Sequence, residues 1–463
     1  MSKGEMDGLT KGCLPTAAFR HMEPTAVGVV DLGESITLSS PDGRAWDTRA
    51  RDGLLLVRLH SEPLAVVSVD RNVGSYTDEE LASELWRLLR TEIGRHLERF
   101  RCAQMPEGPA ALLGALRAPP GGCPGSRPAE AGPSVAVILC TVGREERLRR
   151  CIQSLLAQRL ADFEVVVVDN RPETGEVWRT VNSIADDDKR LRYVSEQRVG
   201  LSVARNRGVS ATDAELIAFT DDDVVVDPGW LEWLVAPFAA PAVTATSGMV
   251  LPLELQTEAQ KRFEQFGGFS KGVERRTYDL HSGRTERLLL YPFSGDIFGS
   301  GNSMAFRRTE LVAGGGFDPA LGAGSPADGG EDMYALTTAI LRGGAIVYEP
   351  RALCWHEHRK DDEALRRQVF SYGTGFTATM TKALTSNPRF YATAARSLPA
   401  VLSLIRFGQT TADEGPAGVD DAERFPKELL RTHRRGIVRG PLRYAQGVLR
   451  THRLKLDDVI RGG

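Results

Sequence analysis

The sequence predicts an α/β protein whose main domain is built on a Rossmann-like, mostly parallel sheet. Two observations indicate this class. From Val135 onward, apolar strands alternate with amphipathic helices, as in βα units joined by right-handed crossovers. One strand, "FEVVVVDN", is apolar almost throughout, as a strand buried on both faces of a sheet requires. Shorter strands before this domain predict a small α+β domain, and the chain after it predicts a helical C-terminal extension.

The composition excludes several classes of protein. The 463 residues are 41% hydrophobic and 26% charged, which is typical of a globular chain of two or three domains. A formal net charge of −3 gives no reason to expect nucleic acid as a partner. The six cysteines form no CxxC pair. We find no secretory signal and no apolar stretch of the roughly 20 residues that a membrane span needs. We therefore expect a cytoplasmic protein with reduced thiols.

The chain divides into five predicted segments according to its composition. A polar, disordered arm comes first, then a small α+β accessory domain and a linker rich in Pro, Gly and Ala, before the main domain and a basic helical extension. In that order the segments are residues 1–22, 23–101, 102–133, 134–375 and 376–463. In the accessory domain we expect a hairpin that turns at Ser61, Glu62 and Pro63. A helix should follow it, begun by the capping pair Thr77 and Glu80.

Polar residues follow the strands of the predicted parallel sheet, at the points where the strands end. They are Thr141 and Arg144 after the first strand, Asp169 after the second, and Asp221, Asp222 and Asp223 after the fourth. Because ligands of such sheets bind beyond the carboxyl ends of the strands, we expect these side chains to meet at one edge. Carboxylate oxygens suit Mg²⁺ or Mn²⁺. The first strand is followed by neither a GxxxxGK[S/T] loop nor a GxGxxG turn, which disfavours P-loop and dinucleotide-binding proteins.

Seven blocks of sequence, taken in order, resemble the successive motifs of family 2 glycosyltransferases of the GT-A fold. The resemblance covers roughly residues 134–375. The blocks are "VAVILCTVGREERLRRCIQSLLAQ", "FEVVVVDN", "GLSVARNRGV", "IAFTDDDVVVDPGWL", "GSGNSMAFRR", "GGEDMYAL" and "WHEHR". The resemblance implies a metal-dependent transfer of a sugar from a nucleotide-diphosphate sugar to an acceptor hydroxyl, by one in-line displacement that inverts the anomeric carbon.

The resemblance also implies which residues bind the nucleotide and the metal. Asp221 is expected at the ribose and Asp223 on the metal, Mn²⁺ or Mg²⁺, while Asp222 is the variable middle position of the D-x-D motif. Asp169 matches the acidic residue that accepts a hydrogen bond from the base. The positions that match the base pocket and the polar residues beside the nucleotide are Thr141, Arg144, Arg205 and Asn206. For Arg205, a solvated charge on a helix is an equally compatible interpretation.

Further positions match the acceptor side of the family's site. Glu331 and Asp332 open a helix, where two acids also favour the helix dipole without any catalytic role. The family has its catalytic base in this ED motif, so the resemblance implies that Asp332 deprotonates the acceptor hydroxyl and that Glu331 orients either the acceptor or the base. His356, with His358 in reserve, matches a histidine that closes the metal site. Candidates for contacts with the acceptor or the diphosphate are Ser300, Gly301 and Asn302.

The expected partners follow from the same resemblance. The donor is expected to be a UDP-sugar, and the acceptor a glycan, a lipid-linked glycan or a small molecule, as in polysaccharide biosynthesis. None of the six tryptophans follows an arginine, so the Q-x-x-R-W block of processive members is missing and we expect non-processive transfer. A nucleotidyltransferase and a catalytically inactive sugar-nucleotide-binding protein are the alternatives. The stretch 431–456, basic and without acids, is either a solvated helix or a contact with anionic membrane at its inner face.

Overall fold

The computed structural model divides the chain into two compact units. The described residues are 9–11, 24–32, 36–43, 52–69, 76–101, 104–109, 123, 132–281, 291–293, 295–386 and 427–456. The first unit comprises Met1–Glu130, Leu251–Glu274 and Trp355–Asp361. The second unit comprises Ala131–Val250, Arg275–Cys354 and Asp362–Gly463.

The first unit contains a five-stranded sheet and a long helix, as the sequence predicted for an α+β domain. Its strands are β1 (Leu9–Lys11), β2 (Thr25–Leu32), β3 (Ile36–Ser39), β4 (Asp52–Leu59) and β5 (Glu62–Val69), and its long helix is α1 (Asp78–Phe100). The sheet order is β1-β5-β4-β2-β3, with β2 and β4 parallel and the other pairs antiparallel. The predicted capping box is confirmed, since Thr77 Oγ1 accepts from Glu80 N and the Glu80 carboxylate accepts from Thr77 N. The apolar face of α1 shares one hydrophobic core with β4 and β5.

Two expectations about this unit were wrong in detail. The hairpin turns at His60 and Ser61, which have φ of 51° and 70°, so Glu62 and Pro63 already belong to β5. Residues with a left-handed backbone make the tight turn that joins two antiparallel strands. β1 lies within the segment predicted as a disordered arm and pairs with β5.

The chain returns twice to the first unit after leaving it. The backbone N–H of Thr25 donates to Leu255 O at 3.0 Å, and Leu255 is completely buried. Cys123, inside the predicted linker, is 1% exposed and belongs to the same core as α1. The stretch "AALLGAL" of the linker, at 110–116, predicts one helical turn and lies outside the described residues. The proposed division at 102–133 therefore stays a prediction, and the structure adds two later segments to the first unit.

The second unit is built on the predicted α/β sheet. The strands of its nine-stranded sheet are β6 (Val135–Thr141), β7 (Glu164–Asp169), β8 (Leu191–Ser195), β9 (Leu216–Asp221), β10 (Val224–Val226), β11 (Val243–Pro252), β12 (Arg276–Tyr278), β13 (Met304–Arg307) and β14 (Ala345–His356). The order is β10-β14-β11-β13-β9-β6-β7-β8, and β12 pairs with β14. The four strands β9-β6-β7-β8 are parallel, which confirms the fold class, while β13 is antiparallel to both β9 and β11.

Helices connect these strands and extend the unit. They are α2 (Glu145–Leu156), α3 (Glu176–Ala185), α4 (Leu201–Ser210), α5 (Trp230–Val235), α6 (Glu258–Gln265, in the first unit), α7 (Arg308–Ala313), α8 (Glu331–Leu341), α9 (Asp362–Ser386) and α10 (Lys427–Leu454). Among the described residues, no helix has both the length and the apolar character needed to cross a bilayer.

The strand register aligns the residues that the sequence singled out. Thr141 pairs with Asp169 across β6 and β7, and Cys140 pairs with Asp221 across β6 and β9. The last residues of three parallel strands therefore end at one level of the sheet. This alignment creates the polar edge that the sequence predicted.

The C-terminal extension packs tightly on the second unit. The predicted boundary at 375 was wrong, because α9 is one continuous helix from Asp362 to Ser386. α10 crosses α9 at glycines: a methyl group on Gly436 would overlap the carbonyl oxygen of Phe370, and one on Gly373 would overlap that of His433. Residues 387–426 lie outside the described residues, and with them the stretch "DEGPAGVDDAE", which the sequence predicts as an acidic loop.

Candidate active site

The first cluster of the site lies where β6 and β9 end. The hydroxyl of Thr141 donates to Asp222 Oδ2 at 2.6 Å. Arg144, the N-cap of α2, has Nη1 3.1 Å from Asp222 Oδ1 and 3.5 Å from Asp223 Oδ2. The side chains of Asp222 and Asp223 are buried, at 8% and 5% exposed, whereas that of Asp221 is 32% exposed. Two buried carboxylates therefore share one guanidinium group.

The electrostatics of this cluster favour a cation. Burial, together with the negative charge of Asp223, raises the pKa of Asp222 to about 6. Arg144 and the Thr141 hydroxyl act in the opposite direction but do not compensate for the burial. Hard carboxylate oxygens that repel each other are the donors that Mg²⁺ and Mn²⁺ prefer. The donor set at the end of β9 thus fits a divalent cation, with Asp223 and Asp222 as the residues available to it.

Arg205 is the centre of the second cluster. It lies on α4, its side chain is 2% exposed, and its Nη1 donates to Glu331 Oε1 at 2.9 Å. Its Nη2 donates to Asp221 Oδ1 at 3.2 Å and to the carbonyl oxygen of Gly301 at 3.1 Å. A solvated helix charge, one of the two interpretations of Arg205, is therefore wrong. The guanidinium group joins the end of β9 to the start of α8.

The ED motif lies at the first turn of α8. Both carboxylate oxygens of Asp332 accept backbone hydrogen bonds, Oδ2 from Gly301 N and Oδ1 from Met333 N, each at 2.7 Å. Asp332 is partly exposed, while Glu331 is buried. Burial raises the pKa of Glu331 to about 7, helped by the charge of Asp332 and opposed by Arg205. The two acids thus differ: Asp332 is accessible and fixed by N–H groups, and Glu331 is buried against an arginine.

Other predicted residues lie in defined surroundings. Asp169 is completely buried and accepts from the hydroxyl of Tyr193 at 2.9 Å. The side-chain amide of Asn206 makes two hydrogen bonds to the backbone of Phe317, at 2.7 and 2.9 Å, so both its polar atoms act within the fold. Asn302 is buried, and its Oδ1 accepts from Ser300 Oγ at 2.5 Å. The nucleotide roles of these residues stay predictions.

The two histidines of the "WHEHR" block belong to the first unit. Both are buried, and their Nδ1 atoms are 2.9 Å apart, as expected for alternate residues of an extended segment. His358 Nε2 lies 2.6 Å from Glu264 Oε1, and the ring of Phe269 packs on His356 with centroids 4.9 Å apart. Which of the two histidines binds a metal stays a prediction.

Two hydrogen-bond partners of these residues, Tyr193 and Glu264, were not predicted from the sequence. Tyr193 contacts Asp169 from β8, and the sequence offered a signal, because "LRYVSE" is the strand that follows "FEVVVVDN" in the predicted parallel sheet. Glu264 contacts His358 from 94 residues away, and no local pattern indicated that contact. Burial together with the hydrogen bond to Asp169 raises the pKa of Tyr193 to about 12. The hydroxyl therefore keeps its proton near neutral pH and donates a hydrogen bond to Asp169.

A parallel sheet whose strands end in aspartates, facing an arginine and an acidic helix start, defines an α/β domain with one polar, anionic edge. Residues 136–309, which carry most of this edge, match the model of glycosyl transferase family 2. This segment of the chain belongs to that family, and the recognition made from the sequence motifs is confirmed.

Several curated proteins resemble the chain over the same domain. A glucosyl-dolichyl phosphate glucuronosyltransferase of Haloferax volcanii is 26% identical over 192 residues, 41% of this chain and 57% of that protein. A pre-mycofactocin glycosyltransferase of Mycobacterium tuberculosis is 27% identical over 231 residues, 49% of this chain and 44% of that protein. The putative glycosyltransferase EpsH of Bacillus subtilis is 28% identical over 39% of this chain and 49% of its own length. The chain thus spans about half the length of these relatives.

A mannosyltransferase from Pyrobaculum calidifontis, in complex with GDP-Man and Mn²⁺, has a TM-score of 0.39 at 18% identity, covering 70% of this chain and 90% of that one.

Proposed function

We propose that this chain is a metal-dependent, inverting glycosyltransferase that moves a sugar from a nucleotide-diphosphate sugar to an acceptor hydroxyl. The observation that supports this most is the continuous set of contacts from Asp221 through Arg205 to Glu331, and from Gly301 to Asp332. These contacts join the strand end expected to bind the nucleotide to the helix start expected to bind the acceptor. A donor and an acceptor must meet at such a junction for direct transfer.

The mechanism assigns the base to Asp332. Its partly exposed carboxylate is oriented by the N–H groups of Gly301 and Met333. As the acceptor oxygen bonds to the anomeric carbon, Asp332 takes the hydroxyl proton and the nucleoside diphosphate departs from the opposite face. One displacement inverts that carbon. Glu331, held by Arg205, fixes the start of α8 and the position of its neighbour.

A divalent cation completes this proposal. Asp223, with Asp222 beside it, would hold Mn²⁺ or Mg²⁺, and His356 is a further candidate ligand. When bound, such a cation neutralises charge on the departing diphosphate. Asp169, with Tyr193 donating to it, is the candidate acceptor for the N–H of a nucleobase. Uracil offers such an N–H, as do thymine and guanine, and we keep UDP-sugars as the proposed donors because the family resemblance favours them.

The products of the reaction test the class of enzyme. We would incubate the full chain with Mn²⁺ and a panel of UDP-, GDP- and dTDP-sugars, with and without simple glycan acceptors, and measure both released products. A glycosyltransferase releases a nucleoside diphosphate. A nucleotidyltransferase would instead act at the α-phosphorus, so formation of a nucleoside triphosphate and a sugar 1-phosphate when pyrophosphate is added would indicate that alternative. Binding of a donor without any product would indicate an inactive binding protein.

Two variants separate the metal from the base. Asp223→Ala should abolish Mn²⁺-dependent donor binding and transfer, as should excess EDTA on the unaltered chain. Asp332→Asn should lower the rate by at least about 100-fold, the usual contribution of a general base, while donor affinity is unchanged. Asp213→Asn, an exposed carboxylate of the same unit, is the control. If donor affinity fell with the rate in Asp332→Asn, Asp332 would belong to the nucleotide site.

We also propose that α10 contacts anionic membrane. Four apolar side chains on it are exposed, namely Val438 at 67%, Leu442 at 63%, Leu449 at 71% and Leu454 at 49%. The first three share one helical face with exposed arginines, and successive residues named for this face are three, four or seven positions apart: Arg431, Arg435, Val438, Leu442, Leu449 and Arg453. The opposite face packs into the protein and includes Ile437 and Tyr444. Apolar side chains among arginines fit the boundary between acyl chains and anionic headgroups.

Vesicle sedimentation tests this contact. The chain should bind vesicles with anionic lipid, bind neutral vesicles poorly, and lose binding as salt rises. The double variant Leu442→Ser with Leu449→Ser should weaken binding at every salt concentration, while Arg431→Gln with Arg435→Gln should reduce the salt dependence. Leu454→Ser, which removes an exposed apolar side chain of the same helix outside this face, is the control. Equal binding of neutral and anionic vesicles, or none at low salt, would contradict the proposal.

A further inference from the structure

The first unit contains a cluster of possible metal ligands made of nitrogen and sulfur atoms, unlike the carboxylate oxygens of the second unit. His60 Nδ1 lies 3.1 Å from His96 Nε2, and Cys123 Sγ lies 3.6 Å from the same atom. The three donor atoms all lie within 4.8 Å of one another. His96 and Cys123 are 3% and 1% exposed. The three residues come from the β4–β5 turn, from α1 and from the chain beyond it.

The hydrogen bonding of His96 fixes which of its nitrogens faces the cluster. Its Nδ1 lies 2.7 Å from Glu62 Oε2, and Arg99 Nη1 donates to the other oxygen of that carboxylate at 3.2 Å. A carboxylate beside an arginine is ionised and only accepts hydrogen bonds, so Nδ1 carries the proton. The Nε2 lone pair therefore points at His60 and Cys123. A carboxylate behind a histidine is the usual outer partner of a metal-bound imidazole.

Two of the three distances between the donor atoms match the edges of a zinc tetrahedron, and the third is at most 4.8 Å. With Zn–N distances of about 2.0–2.1 Å and Zn–S of about 2.3 Å, the edges are about 3.3 Å between two nitrogens and about 3.6 Å between nitrogen and sulfur. The observed separations are 3.1 Å and 3.6 Å. A cation at the centre would be bound by all three donors at once.

We propose that His60, His96 and Cys123 bind one Zn²⁺ ion, with a fourth position for water or another ligand. Two imidazoles and a thiolate are borderline to soft donors, which select zinc over Mg²⁺ or Mn²⁺. The thiol releases its proton to solvent when the ion binds. The ion joins a turn, a helix and a third segment that are 36 and 27 residues apart along the chain, so it stabilises the folded first unit.

Cobalt spectroscopy on the full chain tests this site. Metal-free protein is titrated with Co²⁺ in the presence of excess Mg²⁺, which occupies oxygen-rich sites without competing for sulfur. We expect one Co²⁺ per chain with a sulfur-to-cobalt charge-transfer band in the near ultraviolet. Zn²⁺ should remove the band stoichiometrically and raise the melting temperature. A wild-type chain that develops no such band at micromolar Co²⁺ overturns the proposal.

Variants assign the band to these residues. Cys123→Ser should lose the band, and Glu62→Gln should keep the band but weaken zinc affinity by about 10- to 100-fold, the usual loss when an outer partner of a ligand is removed. His452→Gln, an exposed histidine elsewhere, and Asp223→Asn should leave the band and its affinity unchanged. A band that persists in Cys123→Ser contradicts the site. If Cys123→Ser does not fold, Glu62→Gln retains all three donors and still decides the question: zinc affinity equal to wild type overturns the site.

Discussion

At the scale of single residues, Arg205 is the group on which the geometry of the site depends. It is buried among three acceptors that come from three different parts of the chain. Removing one partner of a buried ion pair leaves an uncompensated charge and usually costs about 3–5 kcal/mol. We expect Arg205→Ala to lower the free energy of unfolding by that amount, measured in denaturant. Arg207→Ala removes an exposed arginine from the same helix and should change it by less than about 0.5 kcal/mol.

Arg205→Lys separates charge from geometry. Lysine preserves the positive charge but has no planar fork that can meet Glu331, Asp221 and the Gly301 carbonyl together. We expect this variant to be more stable than Arg205→Ala while its transfer rate remains far below that of the unaltered chain. A lysine variant with normal turnover would mean that charge alone is needed at this position.

Glu331 makes stability depend on pH in an unusual direction. Its pKa is raised from 4.5 to about 7 in the folded chain, so the folded state binds the proton more tightly than the unfolded state. The stabilisation is complete below pH 4.5 and is lost as pH rises through about 7. At about 1.4 kcal/mol per pKa unit, the upper limit of this loss is roughly 3 kcal/mol.

The measurement is a comparison of unfolding free energies at pH 5 and pH 8. Glu331→Gln should remove this loss of stability with rising pH, because a neutral amide does not titrate. The free energy of unfolding of the variant should therefore increase relative to that of wild type as pH rises. Glu363→Gln, whose carboxylate is 78% exposed, is the matched control and should not alter the pH dependence. Parallel curves for wild type and Glu331→Gln would contradict the prediction.

Some of these residue contacts could be predicted from the sequence and others could not. Asp169 and Asp221 end strands whose apolar runs are local, and parallel register brings strand ends together, so their meeting at one edge followed from the pattern. The burial of Arg205 depends on Glu331, which is 126 residues away. The contact of Cys123 with His96 depends on how a segment rich in Pro and Gly returns to a helix. Neither dependence leaves a periodic signal in the chain.

At the scale of elements, the contact between α9 and α10 rests on glycines. Methyl groups on Gly436 or Gly440 would overlap atoms of α9, at Phe370 and Thr377. Gly→Ala inside a helix normally stabilises it by about 0.5–1 kcal/mol, because alanine has the better propensity. Here the close packing should reverse the sign, and Gly440→Ala should destabilise by roughly 1–3 kcal/mol.

The matched control for this prediction is on the same helix. Ala445→Leu adds bulk to α10 on its exposed side and should leave the free energy of unfolding within about 0.5 kcal/mol. Thermal or denaturant unfolding measures both variants. A Gly440→Ala protein that is more stable than wild type would show that the two helices can separate without cost.

At the scale of the whole molecule, the first unit consists of three separate stretches of the chain, which changes the expected effect of a truncation on stability. Because a linker at 102–133 separates the predicted accessory domain from the main domain, the sequence predicts that deleting residues 1–130 leaves a folded protein that still binds nucleotide and metal, with transfer to the natural acceptor reduced. The structure groups 251–274 and 355–361 with those residues, and Leu255 and Phe263 are buried there. Deleting 1–130 should therefore leave these apolar side chains uncovered and lower the melting temperature.

The truncated chain should also bind a dye for exposed apolar surface and be cut by protease between residues 251 and 274. Deletion of residues 1–8 alone, which ends before β1, is the control and should leave the melting temperature unchanged. A truncated protein with normal melting temperature and normal protease resistance would support the original expectation of an independent core.

The two returns of the chain to the first unit also set an order of events during synthesis. Its first piece is complete at residue 130 and its last at residue 361, so about 230 residues must be translated in between. At roughly 5–20 residues per second, this takes on the order of 10 to 50 seconds. Until residue 274 is made the nascent first unit lacks two of its three pieces, and until residue 361 it lacks the last, so the surface that these pieces cover is open to solvent and to chaperones. Strands β6 to β13 of the second unit are all made between the first and the last piece of the first unit.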